Sequence, residues 1–466
     1  MVLSRRSAGI ILAGFVTVSL LVLSFARTSP DKNPKEPQQT QIAPAAQQQS
    51  LPDTVPAKDL YHITWSAIPQ LTYNTDKLGN WHDLAHKYCS DIKSEEDAIK
   101  YANKMLETLD DPYTVLHSAK QFQDLQVQMT GTMAGIGVRF EQDKTVKPGN
   151  PPQPARDNDG HPLIQKVVDG GAAKDAGIAD GDAIVSVDGV STIAMGFDEL
   201  SKAIRDKVGT KVKVVFRHNG AVVGVELVRR EVKLPPVELP TKRFGQIGYV
   251  YLPNFTSNAT VQELKDAFNK LSDCEAYILD ERHNPGGQIP VCLKAAGLFM
   301  DNGTVVKMRR RIPSAGYAET VISLESDCIK FEDIDETSGR KQVSKQPREA
   351  NLIGKKPLVL LTDAGSMSAA EMLAGCLKDN NRAIIVGETT GGKGIGQEVF
   401  PLPNGTGLRV TNLRYFTPNG LWVGDGHKEC HGIKPNHEVK LGDINTLGTE
   451  KDDQIALAIK VLSEKR

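Results

Sequence analysis

The spacing of apolar positions divides the chain before any residue is singled out for chemistry. An apolar run over 8–26 follows Arg5-Arg6, and between Thr28 and Pro56 large apolar residues all but vanish among Gln, Pro, Ala and Lys. A stretch of that kind buries too little surface to offset the entropy of ordering it, which predicts a linker over 28–56. From Leu60 to Gln128 the period is helical. Ser94-Glu-Glu-Asp97 has the form of a capping-box start, Ala98, Ala102, Met105, Leu106 and Leu109 fall on one face, and Asp110-Asp-Pro-Tyr113 ends that helix. Between Gly131 and Val232 short β-type runs at 136–140, 163–168, 183–187, 211–217 and 222–228 surround one helix near 197–207, as in a small, partly open β-barrel. Strand, helix and strand then alternate at 247–252, 260–271 and 276–280, and again at 358–361, 368–377 and 383–387, which predicts an α/β core. The segment 300–354 is less regular and reads as an excursion, while 397–400 and 407–415 flank the turn Pro403-Asn-Gly-Thr-Gly407. The expected division is a signal peptide or anchor over 1–27, the linker over 28–56, a helical domain over 57–130, the β-barrel domain over 131–232, the α/β core over 233–445 and a C-terminal helix over 446–466.

Composition adds limits to this multidomain α/β picture. At 466 residues the chain exceeds one hydrophobic core. Lys and Arg number 56 against 57 Asp and Glu, for a net charge of -1, which excludes a partner held by bulk electrostatics such as nucleic acid. Arg309-Arg-Arg311 is the only basic cluster and reads as a solvated strand or loop edge. The basic pair ahead of the apolar run is the layout either of a secretory signal, with small residues around Ser24-Phe25-Ala26 for cleavage, or of an uncleaved membrane anchor through 8–26. Both place the bulk of the chain outside the cytoplasm, in a periplasmic or other extracytoplasmic space, with or without a tether to the inner membrane. Six cysteines, Cys89, Cys274, Cys292, Cys328, Cys376 and Cys430, permit disulfides there, but their spacing selects no pair.

Candidate chemistry concentrates in two loops. Ser368, in Gly365-Ser-Met-Ser-Ala-Ala-Glu371, stands ahead of a predicted helix, and Lys393 follows in Gly391-Gly-Lys-Gly394 after the buried strand Ile384-Ile-Val386. A hydroxyl becomes a useful nucleophile when a nearby base takes its proton, and lysine serves as that base once burial or neighbouring charge lowers its pKa toward neutrality, at a cost of about 4 kcal/mol. Ser366 competes for the nucleophile's place in the same loop, and a serine ahead of a helix is also an ordinary cap. Lys393 has a rival reading too, because Gly387-Glu-Thr-Thr-Gly-Gly-Lys393 fits a phosphate-binding loop; Gly394 and the strand-like 395–403 argue against it. Metal ligation is weakly signalled by His82-Asp-Leu-Ala-His86, two imidazoles one helical turn apart, and by His427, Cys430, His431 and His437, whose spacing matches no standard zinc pattern.

Two resemblances organise these residues. Gly135-Ile-Gly-Val138 with the run from Gly171 to Gly189 resembles a bacterial PDZ domain, and implies that the loop Gly135, Ile136, Gly137, Val138 receives a peptide's terminal carboxylate. Gly170-Gly-Ala172 stands where that family usually has Ser-Pro-Ala. Leu279-Asp-Glu-Arg-His-Asn-Pro-Gly-Gly287, 365–371 and 387–397, with Leu109-Asp-Asp-Pro-Tyr-Thr114 and Gly432-Ile-Lys-Pro-Asn436, resemble the C-terminal processing peptidases over about 60–439. That likeness implies a helical domain, a PDZ domain and an α/β core, with Ser368 as nucleophile, Lys393 as its general base and Gln397 orienting the lysine. It implies no cofactor and no metal, and a protein or peptide C-terminus as the partner; its spacing to the lysine favours Ser368 over Ser366. A helix beginning at Ser368 aims the Ala369 N–H at a forming oxyanion, and the second donor is expected from Gly286 or Gly287, where the missing Cβ admits the tetrahedral intermediate. Asp280 and Arg282 are expected to brace this loop, and His283 to line the cleft. A catalytically silent peptide-binding scaffold on the same fold is the alternative.

Overall fold

The computed structural model describes residues 53–130, 132–141, 143, 153–206, 208–233, 239–312, 316–443 and 446–464. The expected signal or anchor and most of the linker therefore lie outside the described residues. Among those described, no helix is long and apolar enough to cross a membrane. The chain forms two compact units, one containing the residues up to Leu125, Leu239–Phe255 and the residues from Leu264 onward, the other Gln126–Glu238 with Thr256–Glu263.

The larger unit opens with helices α1 (Ala57–Leu71) and α2 (Glu95–Leu106). Ser94 Oγ accepts from the Asp97 N–H and the Asp97 carboxylate accepts from the Ser94 N–H, so the capping box expected from the sequence starts α2. Asp110, in the left-handed region at φ 53°, ends the turn that follows, and Ala98, Ala102, Met105, Leu106 and Leu109 are all buried. A short strand β1 (Val115–His117) comes next. A hairpin of β2 (Thr241–Phe244) and β3 (Ile247–Tyr251) precedes helix α3 (Thr260–Lys270), strand β4 (Ala276–Asp280) and helix α4 (Ile289–Gly297).

The segment 300–354 departs from expectation. It is an antiparallel meander of β5 (Gly303–Ile312), β6 (Gly316–Leu324), β7 (Cys328–Asp335) and β8 (Lys341–Pro347). The strands β5 and β8 carry Arg and Lys among their half-exposed positions, and that polarity masks the two-residue period. Strand β9 (Leu358–Thr362), helix α5 (Ala369–Asp379) and strand β10 (Ile384–Gly387) restore the α/β alternation. The chain then adds β11 (Ile395–Pro401), β12 (Gly407–Phe416), β13 (His437–Glu438) and the last helix, α6 (Asp453–Ser463).

Two sheets result. One runs β2-β3-β4-β9-β10-β13, parallel from β3 onward with Tyr277 opposite Leu358 and Leu360 opposite Ile385. Every residue of β4 and β9 is buried, the mark of parallel strands covered on both faces. Ile455, Ala458, Val461 and Leu462 of α6 pack with Ile278, Val359 and Val386 on one side. The second sheet is antiparallel, β1-β12-β5-β6-β7-β8, with β11 also paired to β12.

The smaller unit holds the predicted β-rich part. Thr132–Gly135 pairs with Arg230–Lys233, Val138–Phe140 with Ile164–Val167, and Val190–Ser191, Ala183–Val187, Lys211–His218 and Ala221–Val228 form a four-stranded sheet. Helices Ala172–Asp175 and Phe197–Ile204 accompany it, and Ile136, Ile184, Val214 and Phe216 are among the side chains of its core.

A buried ionic clasp closes the larger unit. Arg282, fully buried, pairs with Asp280 at 2.6 Å and with Asp452 at 2.8 Å, and gives a further hydrogen bond to Gln454. Tyr249 adds its hydroxyl to Asp280, while Asp452 also caps α6 through the Gln454 and Ile455 N–H groups. Removing one member strands an uncompensated buried charge. Asp452→Ala is expected to lower the free energy of unfolding by about 3–5 kcal/mol in urea denaturation.

Candidate active site

Three loops leave the carboxyl ends of the adjacent parallel strands β4, β9 and β10, the position at which α/β sheets place their ligands. They hold 281–288, 363–368 and 388–394, which the sequence marked as separate motifs. Asn284 knits the first loop: its Nδ2 donates to the Leu252 carbonyl, its Oδ1 accepts from the Gly286 N–H at 2.9 Å, and its own carbonyl accepts from the Met367 N–H. Asp363 joins the first loop to the second. One oxygen accepts from the His283, Gly365 and Ser366 N–H groups, and the other pairs with His283 Nδ1 at 2.8 Å. His283 itself sits at φ 59° and is half exposed.

The two serines of the second loop have different surroundings. Ser366 is fully buried; its hydroxyl donates to the Glu281 carbonyl at 2.7 Å and accepts from the Asp363 N–H at 3.0 Å, so it works as a strut. Ser368 is partly exposed and adopts φ 57°, ψ -117°, a conformation that costs a non-glycine residue of order 1–3 kcal/mol. Gly286, at φ 94°, lies against it. A Cβ built there would stand 2.6 Å from the Met367 carbonyl oxygen, 2.8 Å from the Ala369 nitrogen and 2.8 Å from Ser368 Cβ. Ala369 opens α5, where the first N–H groups lack partners within the helix.

Lys393 ends the third loop and is bound to the second through one carboxylate. Glu371, fully buried, accepts from the Ser368 N–H (2.9 Å) and the Lys393 N–H (2.7 Å) on one oxygen, and from the Gly392 N–H (2.7 Å) and Thr390 hydroxyl (2.6 Å) on the other. Burial pushes this carboxyl above its ordinary range, and the four donors pull the other way. The buried Tyr415 phenol is hydrogen-bonded to the carbonyls of both Ser368 (2.8 Å) and Lys393 (2.7 Å). With Gly392 and Lys393 N–H groups spent on Glu371, and a strand rather than a helix beyond Gly394, the phosphate-loop reading of this segment fails.

The Lys393 amine is held below the ordinary lysine range by burial and by the Arg409 guanidinium, against the pull of Asp111 and Glu371. Its Nζ stands 4.1 Å from the centre of the Tyr113 ring, and no hydrogen bond to Ser368 joins it among the described residues. Tyr113 is fixed by its hydroxyl bond to the Gly426 carbonyl, and its own carbonyl takes Arg409 Nε. Gln397, on β11, donates to Thr411 Oγ1 at 3.2 Å and makes no hydrogen bond to Lys393 among the described residues.

Tyr113, Glu371, Arg409 and Tyr415 were not assigned to the site from sequence. Glu371 had a usable signal, since Ser368-Ala-Ala-Glu371 repeats the spacing of the Ser94 capping box. Tyr113 belongs to the motif Leu109-Asp-Asp-Pro-Tyr-Thr114, whose spacing does not reveal that it folds against Lys393, and nothing in the spacing of β12 marks Tyr415.

In the smaller unit, Gly135 ends one strand and Val138 begins the next. Ile136 and Val138 point into the core, the Ile136 carbonyl accepts from the Ala173 N–H, and the Gly137 carbonyl accepts from the Val168 N–H. A Cβ on Gly171 would come within 2.8 Å of Gly137 Cα, so the departure from the usual Ser-Pro-Ala accompanies a direct backbone contact. His82 packs on the Trp65 ring instead of joining His86, because Trp81–Leu84 is a single 3₁₀ turn rather than an α-helix. Among the described residues His427, Cys430, His431 and His437 bring no three donor atoms together, and all six cysteines are free.

Residues 246–439 match the model of peptidase family S41, and residues 124–217 that of the PDZ domain. A carboxyl-terminal-processing protease of Synechocystis sp. is 32% identical over 82% of this chain and 81% of its own length. The chain belongs to the carboxyl-terminal-processing proteases of family S41. A carboxyl-terminal-processing protease of Picosynechococcus sp. is 29% identical over 87% of this chain and 89% of its length. The solved photosystem II D1 C-terminal processing protease aligns with 26% identity and a TM-score of 0.45 over 83% of this chain and 94% of that one. As a member of the family the protein is a serine-type peptidase built from a PDZ domain and an α/β core, so the silent-scaffold alternative is set aside. Gly286→Ala is expected to leave the fold intact but to lower kcat about a hundredfold, because the new methyl displaces Ser368 and the Ala369 N–H; peptidase assays beside circular dichroism check it.

Proposed function

We propose that the protein is an exported endopeptidase that captures flexible protein C-termini in its PDZ domain and cleaves them with Ser368 and Lys393. The observation that carries this reading is the Glu371 carboxylate, which holds the N–H of Ser368 and the N–H of Lys393 at once. Support for Ser368 over Ser366 comes from exposure and from hydrogen bonding, since the Ser366 hydroxyl is already engaged. In this mechanism the neutral Lys393 amine turns from the Tyr113 ring to take the Ser368 proton as Oγ attacks the peptide carbonyl. The oxyanion forms against the N–H groups of Ala369 and Gly287, because the Gly286 N–H is spent on Asn284. The lysine then gives its proton to the leaving amine, and water repeats the sequence on the acyl-enzyme. Gln397 supports the strand next to the lysine through Thr411 and reaches Lys393 after that turn.

The PDZ loop of Gly135, Ile136, Gly137 and Val138 is assigned to the substrate's terminal carboxylate, with backbone rather than side chains as the contact, since Ile136 and Val138 are core residues. A periplasmic or other extracytoplasmic location, reached through a cleaved signal or an uncleaved anchor over 8–26, rests on the apolar run after Arg5-Arg6.

The purified chain, incubated with an unstructured protein ending in apolar residues and read by mass spectrometry, is expected to cleave it. Ser368→Ala and Lys393→Ala are expected to lose at least about a thousandfold in kcat/KM, with Ser366→Ala still active if less stable. Cleavage surviving in Ser368→Ala would overturn the assignment. The pH profile gives a separate check. Only the neutral amine is a base, so kcat/KM rises with pH through the Lys393 pKa; the Tyr113 ring favours the charged form. Tyr113→Leu removes that preference, and the acid limb is expected to move to lower pH.

A further inference from the structure

Away from the peptidase loops, three donor atoms converge between α1 and the turn that follows Trp81–Leu84. Cys89 Sγ lies 3.5 Å from His62 Nε2 and 3.9 Å from His86 Nδ1, and all three atoms fall within 4.8 Å of one another. A tetrahedral zinc ion with bonds of about 2.3 Å to sulfur and 2.0–2.1 Å to nitrogen separates its S and N ligands by about 3.6 Å. The observed spacings bracket that value. We propose that His62, His86 and Cys89 bind a Zn²⁺ ion, with the fourth position open to water.

The surroundings favour such a site. The two elements are fixed to each other without metal: Tyr61 donates to the Leu84 carbonyl at 2.5 Å, and Trp65 and Trp81 exchange indole N–H bonds with each other's carbonyls at 2.9 and 3.0 Å. The imidazole rings meet edge to face, with centres 5.2 Å apart, and leave a nitrogen of each directed at the same thiol. His62 and Cys89 are half-buried and His86 is exposed, so an ion has an entry path and keeps a solvent ligand. The charged and titratable groups facing the cluster are Asp59 and Lys58 of α1, with the phenols of Tyr61 and Tyr88 alongside. Zinc binds the thiolate, so the Cys89 proton leaves to solvent as the Zn–S bond forms. Thiolate with two imidazoles is a borderline-soft donor set, suited to Zn²⁺ and unsuited to Ca²⁺ or Mg²⁺. The ion would staple α1 to the 81–89 segment and take no part in peptide cleavage.

The test uses the full chain, stripped with a chelator and titrated with Co²⁺ and then with Zn²⁺ against a chromophoric competitor. One equivalent of Co²⁺ is expected to give a thiolate charge-transfer band in the near ultraviolet together with visible bands of tetrahedral intensity, both displaced by Zn²⁺. Cys89→Ser is expected to abolish the charge-transfer band, and His62→Ala and His86→Ala each to weaken binding at least about tenfold. Cys430→Ser, at an exposed cysteine outside the cluster, is expected to keep the band. His86 is exposed, so its variant folds and reports on ligation even if His62→Ala does not. Absence of the band in the unmutated chain, its persistence in Cys89→Ser, or its loss in Cys430→Ser would overturn the proposal. Peptidase activity of the stripped chain is expected to match that of the loaded one.

Discussion

The Glu371 carboxylate is the constraint on which the arrangement of the candidate site depends. It is buried, and leaving it without partners would be costly; instead it takes four donors from two loops that are more than twenty residues apart in sequence. An acid so held cannot shift without stranding three backbone N–H groups, which fixes the strained turn at Ser368 and the start of the lysine side chain together. The strain at φ 57° is tolerated because helix α5, Gly286 and Glu371 all define the same position. Fixing the main chain in this way leaves the lysine's tip, resting over Tyr113, as the part with room to move.

Much of the fold could be read from apolar spacing, for reasons visible in particular elements. β4 and β9 are continuous apolar runs buried on both faces, and α2 shows a single apolar stripe behind a capping box, so period and punctuation agree. The meander over 303–347 does not show in the apolar spacing because β5 and β8 are charged and half or more exposed. His82 and His86 do not share a helical face because a four-residue spacing of two imidazoles does not distinguish an α-helix from a 3₁₀ turn followed by bends.

The site was legible where one residue type is chemically required and obscure where the requirement is mutual. Glycine at 286 is dictated by backbone crowding and announces itself, whereas Glu371, Tyr113 and Tyr415 matter through partners brought to them by folding. The same limit applies to His62. It lies more than twenty residues from Cys89, and no local spacing links the two; the sequence drew attention to His82 and His86, but the structure joins His86 to the other pair of residues.

Tyr415 carries a final consequence. Its phenol has one proton and two carbonyl acceptors at 2.8 and 2.7 Å, one on the serine loop and one on the lysine loop. A single proton shared this way makes the two loops competitors: whichever carbonyl draws closer takes the stronger bond and relaxes its hold on the other. Burial pushes the phenol's pKa well up, so the proton is retained and the competition persists at any pH the protein meets. The pair of loops therefore behaves like a balance beam pivoted on one oxygen, in which loosening the segment at Ser368 tightens the one at Lys393.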